Sequence, residues 1–235
     1  MKDTINEHET DNNIEKHKMG KRELAKRYIL FIISLFVVAL GVAVTKKAEL
    51  GVPPTSSVSD VLSRKFTSLS FGNWLFIWNL ILIAGQILIL RKNFQLIQLL
   101  QIPLSFLFGY FTDFGMWLVS FIQVDAYILK LLFVILGTVI LALGIALAVI
   151  ANVVMNSAEA FIKAISDTTG KQFGNIKIAF DCVCVVLTIL LSLIFFDFTI
   201  QGTREGTIIA AIFTGMVVKL FQKFLTAPVD RLLRK

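Results

Sequence analysis

Two charged residues with the spacing needed for chemistry lie inside a long apolar run. Lys177 and Asp181 interrupt the apolar stretch from residue 174 to residue 196, and residues four apart in a helix share one face. A charged side chain in a membrane-spanning helix costs about 2.5–3.5 kcal/mol on insertion scales, so both residues are candidates for binding a solute or a proton. The alternative is an internal ion pair that stabilises a helix bundle, and the sequence favours neither.

A second set of polar residues surrounds the break between two apolar stretches. Asn152 and Asn156 lie at the end of one stretch, and Glu159 lies early in the next predicted helix. The helix dipole stabilises a carboxylate there, so Glu159 either contacts a ligand or only caps the helix. Asn79 corresponds to Asp181 in the first half of the chain, and we expect these two polar groups to face each other near the centre of the molecule.

The segment QGTREGT is a third candidate. Arg204 and Glu205 combine a cation and an anion between two glycines that allow close approach of the backbone. This composition is typical of a helix N-terminus that holds an anion. A structured turn between two apolar stretches explains the same pattern and is the commoner case.

The sequence lacks three common motifs of enzyme active sites and nucleotide-binding sites. It contains no GxxxxGK[ST] phosphate loop, no HExxH and no GxSxG pattern, and both histidines, His8 and His17, precede the first apolar stretch. We therefore expect no enzyme, no cofactor and no metal site. The two cysteines lie in one apolar run, which excludes a disulfide scaffold.

The composition identifies the kind of element that must position these residues. Hydrophobic residues make up 56% of the 235 residues and charged residues 17%, against about 45–50% and about 25% in soluble proteins. The net charge is +7, but the basic residues lie between apolar stretches and form no block. We interpret them as signals of membrane topology and expect no nucleic-acid partner.

Six apolar stretches are long enough to cross a bilayer as helices, so the sequence predicts an all-α polytopic membrane protein. They are Tyr28–Thr45, Phe71–Leu90, Leu99–Ile122, Tyr127–Val154, Gly174–Phe196 and Thr207–Leu225. Most Lys and Arg residues between the stretches fall on the side of the two termini, which predicts that both termini are cytoplasmic. Residues 1–27 then form a polar cytoplasmic tail and residues 226–235 a basic one.

The sequence also contains an internal repeat. ALGVAV at 39–44 recurs as ALGIAL at 142–147, and FGNW at 71–74 recurs as FGNI at 173–176. The near-constant offset, 103 residues for the first match and 102 for the second, indicates two membrane repeats, at 28–122 and 127–225. Because each repeat has an odd number of spans, three, the second repeat must enter the membrane in the opposite orientation to the first. Many secondary transporters have inverted repeats of this kind. Each repeat also contains a short helix, near 57–66 and 157–168, that is either interfacial or re-entrant.

Two segments resemble a known family. They are NVVMNSAEAFIKAIS, which a Gly-containing turn follows, and GTREGTIIAAIFTGMVVKLF, and they resemble the YczE/YyaS/YitT family of bacterial integral membrane proteins, closest to its YczE-like branch. The resemblance covers about residues 28–224. It implies a small multi-span protein of the bacterial cytoplasmic membrane, often described as transporter-like. The family pattern VMxPGE has a Pro-Gly pair shortly after the Met. This sequence departs from it, because Asn156, Ser157 and Ala158 follow Met155.

These observations predict a transporter-like protein that moves a small solute by alternating access. Its predicted solute-binding residues are Lys177, Asp181, Asn79, Glu159, Asn152, Arg204 and Glu205. The alternatives are a substrate-binding membrane subunit of a multi-component transporter and a non-transporting membrane scaffold or regulator. The expected partners are the lipid bilayer and a small solute, and a homodimer or separate energising subunits fit the same class.

Overall fold

The computed structural model describes residues 20–234, so His8 and His17 lie outside the described residues. In this part of the chain the structure has eight α-helices and no strand. The helices are α1 (Lys21–Lys47), α2 (Pro54–Lys65), α3 (Phe71–Leu90), α4 (Gln101–Ser120), α5 (Tyr127–Ala151), α6 (Ser157–Thr169), α7 (Phe173–Phe195) and α8 (Glu205–Arg234). Two short 3-10 turns, Arg91–Asn93 and Leu96–Leu100, connect α3 to α4.

Six of these helices are long and apolar enough to cross a membrane, namely α1, α3, α4, α5, α7 and α8. The six predicted spans are therefore confirmed as helices, and the chain fits an integral multi-pass membrane protein. Two helices are longer than expected, because α1 already begins at Lys21 and α8 continues to Arg234. The buried Arg27 links the two extensions, since its guanidinium pairs with Glu23 and with Asp230, each at 3.0 Å.

Local sequence explains where the helices begin and end. Pro54 is the first residue of α2, a position at which the missing N–H of proline costs nothing. Ser70 precedes α3, and its hydroxyl accepts a hydrogen bond from Asn73 N at 3.1 Å, as an N-cap residue does. Gly170 ends α6 with φ of +68°, a left-handed conformation that glycine adopts at little cost.

The antiparallel helices α1 and α5 form the centre of the bundle. A Cβ atom added at Gly41 would overlap the backbone of Leu141, and one added at Gly144 would lie 2.6 Å from Val38 N. The small residues of the two helices therefore allow close backbone contact, as we expect from their spacing. Helix α4 packs against α1 and α3, and α8 packs mainly against α5.

The short helices α2 and α6 lie inside the bundle, and each packs between α3 and α7. Both contribute to one apolar cluster, formed by Val58, Leu82, Ala158, Ile162, Phe180 and Cys184. Ser57 of α2 bonds to Thr188 of α7, whereas Lys65, at the other end of α2, reaches the last carbonyl of α7, that of Phe195. The first turn of α2 is therefore its deeper end.

The long helices begin and finish at two opposite ends of the bundle. We call the end at which α1 begins and α8 finishes the proximal end, where Arg27 contacts Asp230. The other is the distal end, where α1 finishes and Lys47 donates to Ser120 O at the end of α4. Helix α6 enters the bundle from the proximal side and α2 from the distal side.

Candidate functional site

The proximal half of α7 carries the ion pair that the sequence predicts. Lys177 Nζ lies 2.8 and 2.9 Å from the two carboxylate oxygens of Asp181. The side chains are 36% and 18% exposed, so the pair is neither fully buried nor freely solvated. Both residues lie on the side of α7 that contacts α6.

Glu159 of α6 lies near this pair, and we call the three residues the Glu159 cluster. The charges of Lys177 and Asp181 both act on the Glu159 carboxyl. Burial raises the pKa of Glu159 above its usual range, Lys177 opposes this shift, and Asp181 adds to it. With two carboxyl groups and one ammonium group, the cluster suits a proton or a cationic group as its additional occupant.

Asn156 and Asn152 position the helix that carries Glu159. The side-chain oxygen of Asn156 accepts from Ser157 N at 3.0 Å, as the N-cap of α6. Asn152 is exposed and adopts a left-handed conformation with φ of +49° at the end of α5, which asparagine tolerates better than most residues. The structure therefore gives Asn152 a clear role in the chain reversal between α5 and α6.

Arg204 and Glu205 lie at the distal end, away from the Glu159 cluster. Helix α7 spans about 27 Å between Lys177 and Phe195 at 1.5 Å per residue, and Arg204 and Glu205 follow its far end. They pair with each other at 3.3 Å, and about half of each side chain is exposed. Gly206 N donates to Leu50 O at 2.8 Å, so this segment forms a structured turn against the loop before α2.

Asn79 is buried on α3. Its neighbour Trp78 packs against the apolar cluster that contains Phe180 and Cys184 of α7. Helix α3 thus faces α7 across the two short helices, and the expected placement of Asn79 opposite Asp181 stays a prediction. Of the predicted site residues, Glu159 lies near the Lys177–Asp181 pair, whereas Arg204 and Glu205 lie apart from it.

The buried side of α7 continues as a row of small polar groups that the sequence analysis missed. This α7 polar face consists of Lys177, Asp181, Cys184, Thr188 and Ser192. The last three side chains are 0% exposed. Thr188 Oγ1 lies 2.7 Å from Ser57 Oγ of α2, and Ser192 Oγ donates to Gln201 O at 2.8 Å. Their spacing of three or four residues is the signal, but hydroxyl and thiol groups barely lower the hydropathy of an apolar stretch.

The first turn of α6 meets a second buried polar group on α3 and α4. The side-chain amides of Gln86 and Gln101 bond to each other at 3.0 and 3.2 Å, and Gln86 also donates to Ser157 O. Ser105 and Ser157 share a hydrogen bond of 2.9 Å. A cavity of about 610 Å³ opens at the proximal end beside this group, with Gln98, Gln101 and Lys163 in its wall.

The distal end contains a charged cluster that sequence reasoning did not identify. Asp60 of α2 is 0% exposed, and its carboxylate lies 2.6 Å from Lys46 Nζ and 2.9 Å from Arg64 Nε. We call these three residues the Asp60 cluster. The sequence analysis treated Lys46 and Arg64 only as topology charges. The i, i+4 spacing of Asp60 and Arg64 was a usable signal, but no sequence pattern pairs α1 with α2.

Comparison with known proteins places a family model over most of the chain. The model described as a family of unknown function (DUF6198) matches residues 25–223. No curated protein and no solved structure matches the chain. The match includes all six long helices, in whole or in part, and both charged clusters.

Proposed function

This chain belongs to the family of unknown function DUF6198, and we propose that it is a transporter that moves a small polar solute by alternating access. The observation that carries the proposal is the α7 polar face, which continues from Lys177 to Ser192 inside the bundle. Buried polar groups are retained at membrane depth when they serve a path or a site. Both short helices reach this face, one from each end of the molecule.

We propose further that the protein is built from two inverted repeats of three spans and one short helix. The order long, short, long, long occurs twice along the chain. The first turn of α2 bonds to Thr188 of α7, and the first turn of α6 bonds to Gln86 of α3. Gln86 and Thr188 occupy the same position in their helices, counted from the first residue. An inverted repeat in which each short helix contacts the other half accounts for this exchange.

In this proposal, the Glu159 cluster is the solute or proton site, and solute reaches it from the proximal side. The cavity beside α6 supports this direction, because it is large enough for a small solute. The distal end is closed by the Asp60 cluster and by the contact of Gly206 with Leu50. With both termini cytoplasmic, the cavity opens to the cytoplasm of a bacterial cell. The resemblance to the YczE/YyaS/YitT family agrees with this assignment. In this proposal the chain is a transporter and not an enzyme.

Cys184 offers a test that needs no knowledge of the solute. It is one of only two cysteines, it is 0% exposed, and it lies near the middle of the α7 polar face. The variant Cys182→Ala leaves Cys184 as the single thiol. We expect sulfonatoethyl methanethiosulfonate, which is charged and membrane-impermeant, to modify Cys184 in intact cells and also in inside-out vesicles, because alternating access exposes the path to each side in turn.

The matched control is Cys184→Ala, which leaves the exposed Cys182 as the single thiol. Cys182 lies on the outer side of α7, so the charged reagent should modify it from neither side of the membrane. Modification of Cys184 from neither side, in protein with an unchanged melting temperature, would favour the non-transporting scaffold. Modification of Cys184 from one side only would contradict alternating access. It would favour a substrate-binding membrane subunit whose site is open to one side of the membrane.

A further inference from the structure

The ammonium group of Lys46 lies in a pocket made of three different kinds of partner. Its Nζ is 2.6 Å from Asp60 Oδ1 and 3.1 Å from Ser63 Oγ. It also lies 3.6 Å from the centroid of the Phe71 ring. The side chain of Asp60 is fully buried and that of Lys46 is 14% exposed, so the pocket is largely shielded from water.

This combination of partners recognises a primary ammonium group. A carboxylate supplies the opposite charge, and a hydroxyl accepts a further N–H of the three that the group carries. An aromatic face attracts the cation, and more strongly where water is excluded. The three partners come from α2 and α3, whereas the ammonium comes from the last turn of α1. The pocket therefore exists independently of the helix that supplies its occupant.

Two features make Lys46 a replaceable occupant. Asp60 has a second cation, because Arg64 Nε lies 2.9 Å from its other oxygen, so the carboxylate stays paired when the ammonium leaves. Lys46 is the penultimate residue of α1, and its four-carbon stem can extend towards the distal surface as lysines near helix ends do.

We propose that the pocket formed by Asp60, Ser63 and Phe71 is an exchangeable binding site for a primary ammonium group, with Lys46 as its resting occupant and a small amine-bearing solute as its ligand. The pocket is at the distal end, apart from the Glu159 cluster. Its test measures binding, so a failure of the transport proposal would leave this one standing, and the converse also holds.

The experiment follows thermal unfolding of the full chain in lipid nanodiscs during titration with n-butylammonium chloride. A bound ligand raises the melting temperature of the folded state in a saturable manner. We expect a saturable rise for the wild type and a larger one for Lys46→Ala, with half-saturation at a concentration roughly tenfold lower, because a tethered competitor has been removed. Butyltrimethylammonium, which has no N–H to donate, and n-butanol should raise the melting temperature of neither the wild type nor Lys46→Ala.

The control variant is Lys47→Ala, which removes the adjacent lysine, whose ammonium donates to Ser120 O at the surface. It should respond as the wild type does. A rise in Lys46→Ala with none in the wild type would overturn the proposal, because Lys46 would then be a fixed structural partner. Equal responses to n-butylammonium and butyltrimethylammonium would also overturn it. If Lys46→Ala does not fold, Lys46→Met retains the apolar stem and serves in its place.

Discussion

The Asp60 cluster and the Glu159 cluster both lie where a short helix meets a long one, yet their carboxyl groups are paired differently. Asp60 is fully buried and has two cationic partners, one of them on another helix. Lys177 and Asp181 pair within one helix and stay partly exposed, and the charges of both act on the Glu159 carboxyl. We therefore expect complete pairing to hold the distal end closed and incomplete pairing to let the proximal cluster take up a further cation or proton.

The largest effect is expected from Asp60→Asn. Removal of the carboxylate leaves Lys46 and Arg64 close together without their anion, and breaking a buried ion pair costs about 3–5 kcal/mol. For a chain of this size we expect the melting temperature to fall by about 10 °C or more. Lys46→Ala should cost clearly less, because Arg64 remains paired with Asp60. Equal losses for the two variants would show that Arg64 contributes nothing to the cluster.

A smaller loss is expected when the Lys177–Asp181 pair is broken from one side. Lys177→Leu leaves Asp181 and Glu159 as neighbouring carboxyl groups, and we expect a loss of about 1–2 kcal/mol, reduced by the partial exposure of the pair. The double variant Lys177→Leu/Asp181→Leu should recover most of this stability, measured as melting temperature in detergent. Recovery of stability with loss of function supports a solute site, whereas recovery of both supports the scaffold.

The pH dependence of stability should separate the two clusters further. The raised pKa of Glu159 means that the folded state binds its proton more tightly than the unfolded state does. This contribution is fully present below the usual glutamate pKa and is lost as the pH rises through the raised value. We therefore expect the melting temperature of the wild type to fall as the pH is raised from below the usual glutamate pKa through this raised value.

The matched variant for that measurement is Glu159→Gln, which cannot titrate and retains the size of the side chain. Its melting temperature should change less over the same pH range and exceed that of the wild type at the upper end of that range. A pH dependence identical in the two proteins would mean that Glu159 ionises as it does in the unfolded chain. The Glu159 cluster would then bind a proton no more tightly than a glutamate in the unfolded chain does.

The sequence was sufficient to predict features that depend on residues close together along the chain. The six spans follow from the length and hydropathy of each stretch, and the Lys177–Asp181 contact follows from its i, i+4 spacing. The Asp60–Lys46 pair could not be predicted in this way, because α2 had first to be placed against α1. The distance between Arg204 and Lys177 was missed although the sequence was sufficient to predict it, because most of the predicted span 174–196 separates these two residues and so places them at opposite ends of the bundle.

The smallest effect concerns a pair that matches Lys177 and Asp181 in residue type and spacing. Lys163 and Asp167 of α6 also lie four apart and pair at 3.1 Å, but their side chains are 49% and 56% exposed. Exposed pairs of this kind contribute about 0.3–0.5 kcal/mol, so Lys163→Leu/Asp167→Leu should barely change the melting temperature. A loss as large as that of Lys177→Leu would instead mean that the cavity wall, which contains both residues, matters as much for folding as the Lys177–Asp181 pair does.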